Sequence, residues 1–198
     1  IRHIEHAVHA CRHGVERTHI ISRTRDGALL LELFTRDGNG TLITAGIYEG
    51  LRKAGIDDVG GILELIKPLE EEGVLVKRSR ERLEMEVDHF HIIERDGTII
   101  ACAALYPADR RTVAELACLA VHPDYRGAGR GDALLQAMES RAMQTGIRTL
   151  FVLTTRTAHW FRERGFQPGD IAQLPVKRKR LYNYRRKSKV FIKQLQSP

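Results

Sequence analysis

Three glycines at alternate positions, Gly127, Gly129 and Gly131, alternate with Ala128 and Arg130 behind Arg126 near the middle of the chain. An apolar run, Leu116-Ala117-Cys118-Leu119-Ala120-Val121, leads into them through His122-Pro123, and Asp132-Ala133-Leu134-Leu135 follows as the opening of a helix. The first N–H groups of a helix have no intrahelical partner, the helix dipole favours an anion there, and glycine lets a ligand approach the backbone. That chemistry suits a pyrophosphate. Two familiar phosphate loops are excluded by spacing: the pattern is G-x-G-x-G rather than G-x-G-x-x-G, and no Gly-Lys-Ser/Thr follows. Glycines between a strand and a helix also make plain tight turns, so spacing alone leaves both readings open.

Other reactive residues flank this loop. Glu115 is the one acid within the strand that enters it, placed either as a proton acceptor or as an ordinary strand-end carboxylate. Cys118 offers a thiol without a partner base nearby in sequence, so packing competes with nucleophilic catalysis. Thr154 ends a later apolar run, and its hydroxyl could either donate a proton or cap the following helix. His3, His6, His9 and His13 recur at near-helical spacing, but no second ligand cluster accompanies them, and no metal is expected.

These residues need elements to hold them. Residues 1–13 read as a helix, 15–22 as a strand, 27–34 as a short helix and 35–41 as a glycine-rich loop. A unit this short does not bury a core of its own, so residues 1–46 read as the end of a larger α/β domain, followed by a charged linker over 47–56. A helix is predicted from Asp57 or Asp58 to Glu72, with Gly73 as its stop, and a second over 79–88. Strands at 89–94 and 98–106 flank Arg95-Asp96-Gly97, a hairpin signal. Residues 107–111 turn the chain into a third strand, 112–121. After the glycine loop come a helix to about Thr145, a strand at 149–154, a helix at 157–164 and a last strand at 188–194. The order is mixed α/β, with a domain over 57–198.

The chain has 198 residues, 42% of them hydrophobic, enough for one full domain with an appendage. It begins at Ile1 without an initiator Met, which reads as a processed piece or fragment. No apolar run approaches a membrane span, and no signal-peptide pattern opens the chain. Three widely spaced cysteines, Cys11, Cys102 and Cys118, point to reduced thiols in a cytoplasmic compartment. The net charge is +7, yet residues 177–189 alone hold eight basic and no acidic residues, which leaves −1 for the rest. Such a run, with Tyr182 and Tyr184 interleaved, suits nucleic acid, a multiply charged cofactor with an acidic substrate, or simply a solvated surface.

The segment V-H-P-x-Y-R-G-x-G-R-G resembles the acetyl-CoA signature of the GNAT acyltransferase superfamily, with Arg126, Gly129 and Gly131 at its defining positions. A second stretch, T-T-R-T-A-H-W-F-R-E-R-G-F over 154–166, is similar to the segment that lines the pantetheine arm, with Phe161 where many members carry an acidic tyrosine. The resemblance runs from about residue 52 to the end and implies the GNAT fold, acetyl-CoA as cosubstrate, and cofactor contacts from Leu119, Ala120, Val121, Arg126, Gly127, Ala128, Gly129, Arg130 and Gly131. It also implies a splayed strand whose amides near Cys118–Leu119 receive the oxyanion. Finer motifs, among them I-L-E-L-I-K-P-L-E-E-E-G and L-Y-N-Y-R-R-K-S-K-V, are similar to the bacterial N-acetylglutamate synthase family. Residues 1–46 resemble the end of the amino-acid-kinase-like domain that binds arginine and builds the oligomer there.

The resemblance implies acetyl transfer to the α-amino group of L-glutamate at the entry to arginine biosynthesis. It assigns Glu115 as base, a hydroxyl residue at 154 and substrate contacts at Cys118, Arg186 and Ser188. Lys187 would point the other way in an extended segment. Rival readings are another amine acceptor on the same fold, a nucleic-acid-binding module built on the basic run, and a catalytically silent acyl-CoA sensor.

Overall fold

The computed structural model describes residues 2–35, 38–108 and 112–195 and divides the chain into two compact units, residues 1–48 and 49–198. The expected turn at 107–111 and the middle of the 35–41 loop lie partly outside the described residues. The first unit holds helix α1 (Arg2–Arg12), strand β1 (Arg17–Ile20), helix α2 (Ala28–Phe34) and strand β2 (Thr41–Thr44). Strands β1 and β2 pair antiparallel, and Cys11 of α1 donates its thiol to the Ile43 carbonyl at 3.3 Å. Strand β2 was not legible in a stretch read as loop and domain end. Two short strands can be called only once their pairing is seen.

The second unit begins at β3 (Glu49–Lys53), which corrects the expected linker over 47–56. Glu49, Arg52 and Lys53 make β3 polar, as suits an edge strand paired, among the described residues, with β4 (Phe90–Arg95) alone. Between them lie α3 (Val59–Glu71) and α4 (Arg80–Glu86). Val59, Ile62, Leu65 and Ile66 line one buried face of α3 at helical spacing. Gly73, at φ 71°, ends the turn after it in the left-handed region, and Ser79 caps α4 by accepting from Arg82 N. Asp96 and Gly97 both have positive φ, 48° and 73°, as the tight hairpin between β4 and β5 (Thr98–Pro107) demands.

Strand β6 (Val113–Val121) pairs antiparallel with β5, and α5 (Arg130–Gln144) carries the chain to β7 (Thr149–Thr154). Helix α6 (Ala158–Glu163), β8 (Gln167–Gly169), helix α7 (Val176–Arg180) and β9 (Lys189–Gln194) complete the unit. The seven-stranded sheet runs β3-β4-β5-β6-β7-β9-β8, and β6/β7 is its one parallel pair, joined by the α5 crossover. Leu134, Leu135 and Met138 of α5 pack on one face of the sheet, and α3 with Leu83 of α4 covers the other. The short β8 and α7 were not predicted. Gln167-Pro168-Gly169 carries no strand pattern, and α7 lies inside the basic run.

Two irregularities of β6 shape the site. Its pairing with β7 stops at Glu115 opposite Phe151, so the strands part beyond that point. Against β5 the register slips between Ala104↔Ala117 and Cys102↔Ala120, placing an extra residue in β6, with Cys118 at φ 54°. The bulge reverses the strand's faces. Ala114 and Leu116 pack into the α5 side before it, and Leu119 and Val121 do so after it, while Cys118 and Ala120 turn to the α3 side.

The edge strand is tied to the loop that follows β6. Glu49 accepts from Arg130 Nε and Nη2, both at 2.7 Å, and from Arg95 Nη1 at 3.2 Å. The hydrogen bonds from Arg130 hold the Glu49 carboxyl below the usual carboxylate range. A depressed folded value means that the pair adds stability above the unfolded value and loses it as pH falls through the folded one. Glu49→Gln should therefore cost about 1.5–3 kcal/mol at pH 7. The difference in Tm from the parent should shrink as pH falls below about 4, in thermal melts across pH. A gap independent of pH would refute the assignment.

Candidate active site

The loop after β6 is built in layers. His122 N donates to the Ile100 carbonyl at 2.8 Å, which pins the strand end, and Pro123–Tyr125 makes a single 3₁₀ turn. Tyr125 is buried, with the guanidinium groups of Arg95 and Arg130 5.4 and 5.5 Å from its ring centre. Gly127 and Gly129 sit at φ 82° and 74°, and Gly129 caps α5 with no side-chain bond to its first amides. At Gly131 the constraint is space, since a Cβ there would lie 3.1 Å from the Trp160 ring. Trp160 in turn lies under the Arg164 guanidinium, 3.9 Å from its ring centre, and Arg164 pairs with Asp132 in the first turn of α5. Bare amides, glycine conformations and a braced helix start fit a pyrophosphate.

The side chains of this loop are less available than their types imply. Arg130 is committed to Glu49 and to the Tyr125 carbonyl, so its contribution to a phosphate is its backbone N–H. Arg126 Nε donates to the Val121 carbonyl at 3.2 Å and stays exposed. Leu119, Ala120 and Val121 lie on the part of β6 that has left β7, and Ala128 lines a small hollow beneath the loop with Gly129 and Glu49.

A second cavity, about 610 Å³, opens where β6 and β7 part. It brings together Glu115, Cys118, Arg186 and Ser188, which are 73 positions apart from first to last. Thr154 and the glycine loop do not line it. Both oxygens of Glu115 accept from Arg178, Nε at 2.6 Å and Nη2 at 3.0 Å. Arg186 Nη2 donates to the Val74 carbonyl at 2.8 Å, beyond the end of α3. Its Nε is buried and has no partner among the described residues. Burial first, and then Arg178 and Arg78, pull its guanidinium below the ordinary value. Ser188 is buried beside it, with its carbonyl accepting from Tyr182 OH at 2.6 Å.

Lys187 departs from its expected extended conformation, and Cys118 and Thr154, each open to two readings in the sequence, take definite places. Lys187 is not in an extended segment. Its φ is 49°, because the chain turns through Tyr184 to Lys187 before β9 begins at Lys189. The Cys118 side chain packs on the α3 side of the bulge, where Cys102 Sγ donates to the Cys118 carbonyl at 3.4 Å. Thr154 Oγ1 accepts from Thr157 N at 3.1 Å and shares a hydrogen bond with Thr157 Oγ1 at 2.8 Å, organising the turn into α6. Phe161 is core, edge-on to both Trp160 and Phe166.

Sequence reasoning missed Arg178, Arg78 and Tyr106. Arg178 was one of eight bases in a run read mostly as surface charge. Arg78 lay in the charged stretch after α3. Tyr106 stands opposite Glu115 across the β5/β6 ladder and donates to Glu86 at 2.8 Å. Burial, and then that bond, push its phenol well above the ordinary value. Pairing of β5 with β6 is the signal that would have found it.

The signature profile of the Acetyltransferase (GNAT) family matches residues 60–166. The amino-acid acetyltransferase of Azotobacter vinelandii is 64% identical over 192 residues, covering 97% of this chain and 44% of that protein. Among solved structures, N-acetylglutamate synthase from Neisseria gonorrhoeae complexed with coenzyme A and N-acetyl-glutamate is 42% identical, with a TM-score of 0.73 over 99% of this chain and 46% of that one. The same enzyme complexed with coenzyme A and L-arginine is 40% identical, with a TM-score of 0.85 over 99% of this chain and 45% of that one. The chain thus spans less than half the length of the relatives it matches. No helix among the described residues is long and apolar enough to cross a membrane, and no group of three metal-ligating side chains occurs among them. The profile covers more than half of the chain, and on that match the protein belongs to the GNAT acetyltransferase family.

Proposed function

We propose that the protein transfers the acetyl group of acetyl-CoA to the α-amino group of L-glutamate, giving N-acetyl-L-glutamate and CoA, the first step of arginine biosynthesis. One observation carries the acceptor: the buried Nε of Arg186, without a partner among the described residues, in a cavity whose described lining is rich in cations. Among the described residues, Arg78, Arg82, Lys177, Arg178 and Arg186 line it against Glu86 and Glu115. A buried donor without an acceptor is costly, and a carboxylate fits an arginine's planar fork. Glutamate brings two carboxylates to that surplus. The similar N-acetylglutamate synthase and amino-acid acetyltransferases support the same choice.

The amides of residues 126–131 would hold the CoA pyrophosphate, and the bound thioester supplies an activated acetyl group. Arg186 and Ser188 grip a substrate carboxylate. Glu115 takes a proton from the ammonium, directly or through water, so that the amine can attack. A backbone N–H at Cys118–Leu119, on the open edge of β6, receives the developing oxyanion. Side chains at 118 and 119 need no polarity for this, which is consistent with a buried Cys118. Thr154 can return a proton to the thiolate, although a thiol near pKa 8.5 needs little help. The free thiols Cys11, Cys102 and Cys118 are why we place the reaction in the reducing cytoplasm. Residues 1–46 we read as the end of an amino-acid-kinase-like domain of an oligomeric enzyme.

The test is acetyl-CoA turnover with glutamate, aspartate, lysine and a polyamine, with product identified by mass. N-acetylglutamate should dominate, and preference for another amine would overturn the substrate assignment. Arg186→Lys should raise KM for glutamate while leaving KM for acetyl-CoA unchanged, since lysine keeps the charge without the fork. Glu115→Gln should lower kcat by roughly 10²–10⁴-fold, the usual contribution of a general base. Full activity of that variant across pH would remove Glu115 from the mechanism.

A further inference from the structure

Both oxygens of Glu115 are engaged by one arginine in this structure. Arg178 spans both of its oxygens at 2.6 and 3.0 Å, and the two side chains are only 26% and 15% exposed. Oxygens directed into a guanidinium fork are held by two charge-assisted hydrogen bonds, which compete with an incoming ammonium for the same carboxylate. Arg178 is carried by the five-residue α7 and, among the described residues, makes one further long contact, to the Leu181 carbonyl at 3.4 Å. Its fork is therefore held mainly by Glu115. Arg186, which lines the same cavity, is instead anchored on the Val74 carbonyl.

We propose that the Glu115–Arg178 pair is a latch opened by the acceptor's side-chain carboxylate, which makes Arg178 a specificity-determining residue. The proposal rests on the glutamate reading above. On binding, the Arg178 fork passes from Glu115 to the substrate's side-chain carboxylate, and Glu115 takes the substrate ammonium as its new partner. Every charge keeps a counter-charge through the exchange. Arg178 trades one carboxylate for another, Glu115 trades a guanidinium for an ammonium, and Arg186 receives the α-carboxylate. The ammonium then gives a proton to Glu115, becoming a neutral amine beside a carboxylic acid. Its nitrogen bonds to the thioester carbonyl carbon, whose oxygen takes the π electrons as an oxyanion; when the carbonyl re-forms, the carbon–sulfur bond breaks with its electron pair on sulfur, and the second proton lost by nitrogen ends on the CoA thiolate. An amino acid without a second carboxylate leaves the latch shut and its own ammonium unserved. Selection thus acts on kcat as well as on binding.

Glutamate cut in two tests this on the unmodified protein. Alanine and acetate together carry the five carbons of glutamate, lacking only the bond that joins them. With alanine as acceptor, at constant ionic strength, acetate should raise kcat saturably by at least about fivefold, the low end of ordinary coupling between two sites. Arg178→Gln should make alanine turnover insensitive to acetate and lift it above that of the parent without acetate. A simple carboxylate-binding role would lower glutamate turnover in this variant and leave alanine unchanged. If acetate has no effect on the parent, or only inhibits, the latch is refuted, whether or not the variant folds. Glutamate run in parallel separates the two ideas. Its turnover without an acetate effect on alanine defeats the latch alone, and its failure to be acetylated defeats the function proposed above.

Discussion

The bulge in β6 is the constraint on which the rest of the site depends. One extra residue, with Cys118 in the left-handed region, reverses the strand's two faces between Leu116 and Leu119. The same strand has already left β7 after Glu115. A regular strand would continue the ladder with β7 and spend its amides there. Instead the sheet opens, and a cavity forms at the opening with the backbone of β6 along its edge. Such strain persists only where the surroundings determine it fully. Here they do, because α5 and α3 bury the two faces and β5 holds the register on both sides of the bulge.

Electrostatics divides the site into two differently built halves. The glycine loop offers backbone dipoles, and its nearest arginine is neutralised by Glu49 from the edge strand. An anion there meets oriented N–H groups whose position does not depend on a mobile side chain. The cavity beside β6 instead offers side chains, with cationic residues in excess of acidic ones and the Arg186 Nε unpaired among the described residues. Backbone suits a cofactor arm common to a whole family, and side chains suit an acceptor that must be told apart from similar amines. The Glu115–Arg178 ion pair lies among the side chains that line this cavity.

Much of the second unit was legible in the sequence. The Asp96-Gly97 turn, the strand at Thr149–Thr154, the glycine stops at 73, 146 and 165 and the start of α5 all have local physical causes. The strands that were missed do not. The edge strand β3 is polar because solvent covers its outer side, and β8 is three residues long. Only pairing with a neighbour makes either of them a strand.

The same boundary runs through the site. Residue types and spacing by themselves determined a glycine loop at Arg126–Gly131 ahead of a helix, a carboxylate on the entering strand and a basic run near the end. These are short-range patterns, set by helix starts, glycine conformations and strand alternation. Tertiary structure alone decided that Arg178 meets Glu115 across 63 residues and that Arg130 turns to Glu49 across 81. In a run of eight similar bases, sequence holds no mark that separates the inward residues from the solvated ones. The direction of each side chain is set by α7, by the left-handed turn at Lys187 and by the carbonyl of Val74.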